Sequence, residues 1–173
     1  MARNVEIKAR VESIDVLAAR AAALATEGPF EIAQDDTFFR CESGRLKLRV
    51  FSPESGELIF YRRATQHGPR ESFYVRAPTA QPDALREALS LAYGKVGRAV
   101  KHRLLYLVGR TRVHLDRVEK LGHFLELEVV LKDGESSEVG VREAHALMAR
   151  LGIEPSALVA GAYVDLLAQE DPG

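Results

Sequence analysis

Charged side chains that alternate with apolar ones are the residues of this sequence with the clearest capacity for chemistry. Residues 4–11 place Asn4, Glu6, Lys8 and Arg10 at every second position, with apolar residues between them. The same alternation recurs at 45–50 and 123–129. Because side chains alternate across a strand, one face of each strand is charged. The charges also sort by sign from strand to strand, as a site for a polyanion and a metal ion requires.

Counting positions by parity predicts which ionisable side chains share these faces. The predicted cations, all Lys or Arg, are Lys8, Arg10, Arg45, Lys47, Arg49, Lys101 and Arg103. The predicted carboxylates are Glu6, Asp116, Glu126 and Glu128, and Arg112 and His114 have the same parity as Asp116. Glutamates two positions apart lie about 7 Å apart on one strand face. Their oxygens suit hard cations such as Mg²⁺ or Mn²⁺, and the Lys and Arg rows suit phosphate. A metal ion together with Lys and Arg side chains around a phosphate chain is typical of enzymes of phosphoryl or nucleotidyl transfer.

The elements that must position these residues follow from turn signals and apolar periodicity. We expect strands near 4–11, 31–40, 45–51, 57–63, 70–77, 98–108, 111–118 and 123–132. We expect helices after Ser13 and at 82–93, 138–151 and 160–168. In the helix at 82–93, the predicted inward residues are Leu85, Ala88, Leu89 and Ala92.

The fold class expected from this order is α+β, an eight-stranded antiparallel β-barrel with helices packed outside. Helices on the apolar strand faces would leave the charged faces inside, where each unpaired ion costs several kcal/mol. Such a barrel must be wet, internally paired or filled by a charged ligand, and eight strands can enclose one small ligand. The alternative is an open twisted sheet with helices on one face, which would leave the same charges solvated.

Bulk properties limit the setting and the partners. The 173 residues suit a single domain over 1–173, and a net charge of −1 argues against a nucleic-acid surface. Cys41 is the only cysteine, which fits a reducing compartment. No apolar run approaches the roughly 20 residues that span a bilayer. We therefore expect a cytoplasmic protein with no membrane partner.

Five runs of the sequence resemble one known family. They are Glu6–Lys8, Gln34–Phe39, Leu46–Arg49, Lys101–Arg103 and Leu115–Glu128. The family is the CYTH superfamily, which comprises class IV adenylyl cyclases, thiamine triphosphatases and inorganic triphosphatases. The resemblance implies an eight-stranded tunnel that binds a triphosphate. It implies metal ligation by Glu6, Glu126 and Glu128 with Asp116 nearby, and phosphate binding by Lys8, Lys47, Arg49, Lys101 and Arg103.

Two positions depart from the family pattern. The pattern opens E-x-E-x-K, and Asn4 stands at its first position, which removes one carboxylate. Tyr61 stands where the family often has a lysine, and Arg63 on the same face is the predicted compensating phosphate ligand. Lys8, Arg49 and His114 are the predicted catalytic residues. His114 is expected either to join the metal, to act as a base or to be a hydrogen-bonded interior residue.

Three functions stay open at this level. The leading one is a triphosphatase that uses Mg²⁺ or Mn²⁺ and acts on inorganic triphosphate, thiamine triphosphate or ATP. The second is an adenylyl cyclase that forms cyclic AMP and pyrophosphate within the same cradle. The third is a polyphosphate- or nucleotide-binding module without turnover, which the changes at Asn4 and Tyr61 would permit. A homodimer would suit the family.

Overall fold

A computed structural model describes residues 2–63 and 68–170 of the chain. Its strands are β1 (Ala2–Arg10), β2 (Glu27–Phe39), β3 (Arg45–Ser52), β4 (Ser55–Arg63), β5 (Arg70–Thr79), β6 (Lys95–Val108), β7 (Thr111–Val118) and β8 (Gly122–Val130). Its α-helices are α1 (Ile14–Leu24), α2 (Pro82–Tyr93), α3 (Ser137–Leu151) and α4 (Tyr163–Glu170), and a 3₁₀ turn spans Pro155–Ala157. None of these helices is both long and apolar enough to cross a membrane.

The strands close into one antiparallel barrel in the order β1-β5-β4-β3-β2-β6-β7-β8. The predicted eight-stranded barrel with outer helices is therefore confirmed, and the open-sheet alternative is wrong. The register between β1 and β8 sets Lys8 opposite Glu126 and Glu6 opposite Glu128. Lys8 and Glu126 are therefore a favourable cross-strand pair of opposite sign, whereas Glu6 and Glu128 are two carboxylates in facing positions, which need a cation between or beside them.

The main hydrophobic core lies outside the barrel, between its apolar wall and helices α1 and α3. Val5, Ile7 and Leu127 from the strands pack there with Leu17 of α1 and Leu147 of α3. Each such side chain stabilises the fold by about 1.5–3 kcal/mol when it is fully buried. Because these apolar faces are covered by helices, the alternate charged faces point into the barrel.

Helix α2 has the predicted bounds, but its predicted buried face is wrong. Ala88 and Ala92 are exposed, Leu85 and Leu89 are only half-buried, and Pro82 is the helix's buried residue. The helix contacts β2, β3 and β4, and residues 91–93 in its last turn face solvent.

Helix α4 seats against one end of the barrel. The segment before it follows β1, since Leu158 bridges to Ala9 and the Val159 amide donates to the Lys8 carbonyl at 2.9 Å. A Cβ atom at Gly97 would lie 2.0 Å from Val164 Cγ2, so only glycine lets the helix approach β6 this closely. This seating directs the Tyr163 side chain into the barrel, where it is 5% exposed.

Candidate functional site

The barrel encloses a cavity of about 250 Å³ that all eight strands and Tyr163 of α4 line. Its described ionisable wall residues are Glu6, Lys8, Asp36, Lys47, Arg49, Glu57, Arg63, Arg76, Lys101, Arg103, Arg112, His114, Glu126 and Glu128. Eight of these are Lys or Arg and five are carboxylates, which leaves a formal surplus of three positive charges. The chain as a whole has a net charge of −1, so this cationic interior arises by local segregation.

The structure brings most of the predicted site residues together and leaves three apart. Those on the cavity wall are Glu6, Lys8, Lys47, Arg49, Arg63, Lys101, Arg103, His114, Glu126 and Glu128. Arg10 lies outside and pairs with Glu170 of α4 at 3.3 Å. Arg45 likewise pairs with Asp165 of α4. Both arginines sit at the end that α4 covers, where they hold the helix rather than line the cavity.

Asp36 gathers three cations on one side of the cavity. Its carboxylate accepts from Arg49 at 2.9 and 2.8 Å, from Lys101 at 3.0 Å and from Lys47 at 3.3 Å. Burial alone would raise the pKa of Asp36, but the charges of Arg49, Lys101 and Lys47 hold that pKa well below its usual range. One carboxylate cannot neutralise three cations, so this cluster is suited to bind an anion.

The same crowding affects the lysine at the edge of this cluster. Burial, and then the charge of Arg49, lower the pKa of Lys47 to about 7, although Asp36 opposes the shift. Near neutral pH this ammonium is therefore only partly protonated without a ligand.

Asp116 forms a different arrangement with Arg103. The Asp116 carboxylate is 0% exposed and accepts from Arg103 Nε at 2.7 Å and Nη2 at 2.8 Å. The Tyr163 hydroxyl donates to its Oδ2 at 2.6 Å. Both carboxylate oxygens are thus engaged, and Asp116 is not among the described residues that line the cavity. The geometry separates it from the carboxylates with which the sequence grouped it, and it acts as the partner that orients Arg103.

Lys8 lies between the acidic wall and α4. Its ammonium donates to the Gly161 carbonyl at 3.0 Å, lies 3.6 Å from Glu126 Oε1 and sits 3.9 Å from the centroid of the Tyr163 ring. Burial lowers the pKa of Lys8 to about 8, against the opposing effect of Glu126.

A possible metal site lies on β7 and β8. His114, Glu126 and Glu128 each offer one ligand atom, and these atoms all lie within 4.8 Å of one another. Burial, and then the charge of Arg103, lower the pKa of His114 to about 3, so the imidazole is neutral and has a lone pair. Two carboxylates and a neutral imidazole are a chemically sound donor set for a divalent cation, so these residues fit a divalent metal ion.

The remaining predicted carboxylate, Glu6, lies on the wall but outside this group. Its Oε1 accepts from Arg63 at 2.8 Å and lies 3.7 Å from Arg70 Nε. Arg63 and Tyr61 both face the cavity, with the Arg63 guanidinium 5.3 Å from the Tyr61 ring centroid. Asn4, which stands in place of the family's first glutamate, donates instead to Glu128 Oε2 at 3.3 Å.

Sequence reasoning did not assign two residues that are central to this geometry. Asp36 has the inward parity of its strand and lies in a run that resembles the family, so strand parity is the signal that identifies it. Tyr163 enters from a helix at the end of the barrel, so strand parity could not identify it. Arg112, noted only for its parity, pairs with Glu128 at 3.0 Å.

Comparisons with known proteins agree with this geometry. The sequence profile of the CYTH domain matches residues 2–163. Adenylate cyclase CyaB of Aeromonas hydrophila is 27% identical over 174 residues, which cover 96% of this chain and 89% of that protein. Among solved structures, the PH1012 protein of Pyrococcus horikoshii has a TM-score of 0.84 at 22% identity, covering 94% of this chain and 98% of its own.

A further solved structure is the putative adenylyl cyclase HpAC1 from Hippeastrum, whose description reports a dominant triphosphatase activity. It has a TM-score of 0.66 at 15% identity and covers 98% of this chain and 96% of its own. At these identities the structures establish the shared fold, whereas the domain match spans nearly the whole chain. The predicted resemblance is confirmed: this chain belongs to the CYTH domain family.

Proposed function

We propose that this protein is a divalent-metal-dependent triphosphatase that binds the phosphate chain of an inorganic or organic triphosphate inside its barrel. The observation that supports this most directly is the cationic cavity of the barrel, in which three cations share Asp36 beside a His-Glu-Glu group. The proposal agrees with membership of the CYTH domain family. One similar protein, CyaB, is named an adenylate cyclase, and another, HpAC1, is reported to have a dominant triphosphatase activity.

In this proposal the phosphate chain is bound by the cations around Asp36 and by their neighbours. Lys47, Arg49 and Lys101 exchange part of their contact with Asp36 for phosphate oxygens. Arg103 is held by Asp116 in a fixed orientation and presents its guanidinium to the same chain. Positioning and charge neutralisation supply most of the catalysis of phosphoryl transfer, so a preformed set of cations is the main requirement.

Glu126 and Glu128 are the proposed metal ligands, together with His114. A divalent ion bound there would neutralise charge on the phosphate oxygens and polarise the reacting phosphoryl group. Lys8 lies 3.6 Å from Glu126 and reaches the boundary between the metal group and the phosphate-binding cations. We assign Lys8 and Arg49 the stabilisation of charge that develops during transfer.

The cavity volume of about 250 Å³ lies near the lower end of the range of about 300–1,000 Å³ typical of pockets for organic ligands. A phosphate chain is therefore the part of a ligand that suits the barrel interior best, and hydrolysis is the first candidate reaction. Adenylyl cyclase activity is the second candidate, because Phe51 and Tyr74 also line the cavity and offer rings on which a base could stack.

We further propose a cytoplasmic setting, which a lone half-buried cysteine, Cys41, suits. The expected homodimer stays a prediction.

The test is a turnover assay with inorganic triphosphate, thiamine triphosphate and ATP in parallel, with Mg²⁺ or Mn²⁺, in which phosphate, pyrophosphate and cyclic AMP are scored separately. Release of phosphate without cyclic AMP is the expected result, and it ranks the substrates. Cyclic AMP with pyrophosphate would make the protein a cyclase. Saturable binding without any product would make it a binding module.

A further inference from the structure

One nitrogen atom of the barrel interior is buried without a hydrogen bond in the described part of the chain. His114 is 5% exposed, and its Nδ1 is buried without a hydrogen-bond partner among the residues that the structure describes. Buried polar atoms are almost always paired, so each exception requires an explanation such as a bound ion. The nearest acidic atom, Glu128 Oε1, lies 3.6 Å away, which is too far for a hydrogen bond.

The position of this nitrogen explains what it could bind. His114 lies directly opposite Glu126 in the β7–β8 register, and one ring nitrogen of His114 and one oxygen of each glutamate lie within 4.8 Å of one another. Two ligands that are each about 2.1 Å from a metal ion, at 90–120° to each other, are separated by roughly 3.0–3.6 Å. The separation of His114 Nδ1 from Glu128 Oε1 fits that relation, and a small adjustment of Glu126 would complete the group.

A second orphan atom lies beside the same carboxylate. Asn4 is 3% exposed, and its amide nitrogen donates to Glu128 Oε2 at 3.3 Å, while its Oδ1 is buried and accepts no hydrogen bond from residues 2–63 or 68–170. Arg112 also pairs with Glu128, at 3.0 Å. These contacts hold Glu128 from one side, so that its Oε1 faces His114.

We propose that His114 ligates the metal through Nδ1, which makes this a mixed nitrogen–oxygen centre that prefers a first-row transition-metal ion such as Mn²⁺ over Mg²⁺. The inference rests on the proposed metal dependence and names the metal class. Mg²⁺ is a hard cation that strongly favours oxygen ligands and retains its waters, whereas imidazole is a good ligand for first-row transition metals. The loss of one carboxylate at Asn4 and the presence of an imidazole at His114 both shift the donor set in that direction.

The test uses the metal-free full chain and Mn²⁺ alone, with no substrate present. Pulsed electron paramagnetic resonance should detect a ¹⁴N coupling to bound Mn²⁺, and labelling the wild-type protein with ¹⁵N-histidine should change that coupling to the ¹⁵N pattern. The labelling needs no variant, so it remains decisive even where a substitution disturbs folding. Absence of a histidine nitrogen coupling in the wild type would overturn the proposal.

A substitution then assigns the nitrogen to one residue and tests the preference. His114→Asp replaces the nitrogen ligand by an oxygen ligand, so the ¹⁴N coupling should disappear while Mn²⁺ still binds. In competition experiments the ratio of Mn²⁺ to Mg²⁺ affinity should fall at least tenfold. His145→Asp on the exposed face of α3 is the matched control and should change neither readout. A coupling that persists in His114→Asp, or an unchanged affinity ratio, would overturn the assignment.

These readouts are separate from turnover. If nitrogen-coupled Mn²⁺ is found but no triphosphate is hydrolysed, the ligand assignment holds and the proposed function fails. If triphosphate is hydrolysed with Mg²⁺ and no nitrogen coupling is found, the function holds and this inference fails.

Discussion

Two buried carboxylates inside the barrel hold their cations in different ways. Asp36 is shared by Lys47, Arg49 and Lys101, whereas Asp116 is shared by Arg103 and the neutral Tyr163 hydroxyl. The first group has a formal surplus of two positive charges, and the second is neutral. The Asp36 group is therefore built to accept an anion, and the Asp116 group is built to fix one guanidinium. Changes in the Asp36 group should therefore alter ligand affinity, whereas changes in the Asp116 group should mainly alter stability.

The largest expected effect is a loss of stability when the pair of Asp116 and Arg103 is broken. Asp116→Asn removes both hydrogen-bonded carboxylate contacts of the buried Arg103 guanidinium and leaves only Glu126, at 3.8 Å, as a nearby counter-charge. This change should lower the free energy of unfolding by about 3–5 kcal/mol. Chemical denaturation of the variant and the wild type measures this loss. Asp15→Asn, which changes a carboxylate whose side chain is 94% exposed, is the control and should lie within about 0.5 kcal/mol of the wild type. A loss as small as that in Asp116→Asn would show that Arg103 does not depend on Asp116.

A smaller effect should come from the hydroxyl that completes this pair. Tyr163→Phe keeps the ring beside Lys8 and Phe124 but removes the donor to Asp116, a change that should cost about 1.5–3 kcal/mol of stability. Denaturation midpoints at unchanged slope would record it. Tyr93→Phe on α2, where the side chain is exposed, should have no measurable effect. Equal stability of Tyr163→Phe and wild type would mean that the phenol adds nothing to the Asp116 group.

In the Asp36 group, removing the carboxylate should strengthen the binding of an anion. Asp36→Asn removes the carboxylate that competes with phosphate for three cations, so tripolyphosphate should bind about tenfold more tightly, equivalent to about 1.4 kcal/mol. The unliganded variant should be less stable than the wild type, and saturating tripolyphosphate should recover more stability than it adds to the wild type. Calorimetric titration and thermal melts test both statements. Weaker binding by the variant would contradict the role assigned to this cluster.

The smallest expected effect is the pH dependence of polyanion binding that arises from Lys47. The pKa of Lys47 is about 7 without ligand, and a bound polyanion would raise it. Above pH 7, binding must therefore take up a proton, and affinity should fall as the pH rises, by less than tenfold per pH unit for this residue. Lys47→Arg stays charged and should reduce the proton uptake, measured by calorimetry in buffers of different ionisation enthalpy. The same uptake in variant and wild type would contradict the lowered pKa of Lys47.

The sequence alone predicts the fold and the direction of most side chains, but not their partners. The period-two pattern predicted the barrel and the inward faces of β1, β3, β6 and β8, because apolar faces must meet the outer helices. Parity shows where a side chain points and not what it meets there. Asp116 has the same pattern as Glu126, yet its oxygens are taken by Arg103 and Tyr163.

Other differences between the predicted and the observed site arise at the ends of the barrel. Strand periodicity continues past the point where the cavity stops, so the pattern could not show that Arg10 and Arg45 meet α4. The Tyr163 ring enters through a long-range contact that no local signal predicts. The buried face of α2 was mispredicted because helical periodicity does not reveal how much of a helix the sheet covers.

The proposed metal-dependent triphosphatase is tested most sharply by the rate of tripolyphosphate hydrolysis by wild type, Glu126→Gln and Glu119→Gln, each with and without a divalent cation. Glu126 lies in the cavity beside Lys8 and Arg103, whereas Glu119 is exposed in the β7–β8 turn. We expect metal-dependent phosphate release by wild type and Glu119→Gln. Folded Glu126→Gln should lose at least 100-fold in rate, which is about 2.7 kcal/mol in the barrier. Undiminished turnover by Glu126→Gln, or turnover without any divalent cation, would contradict this proposal.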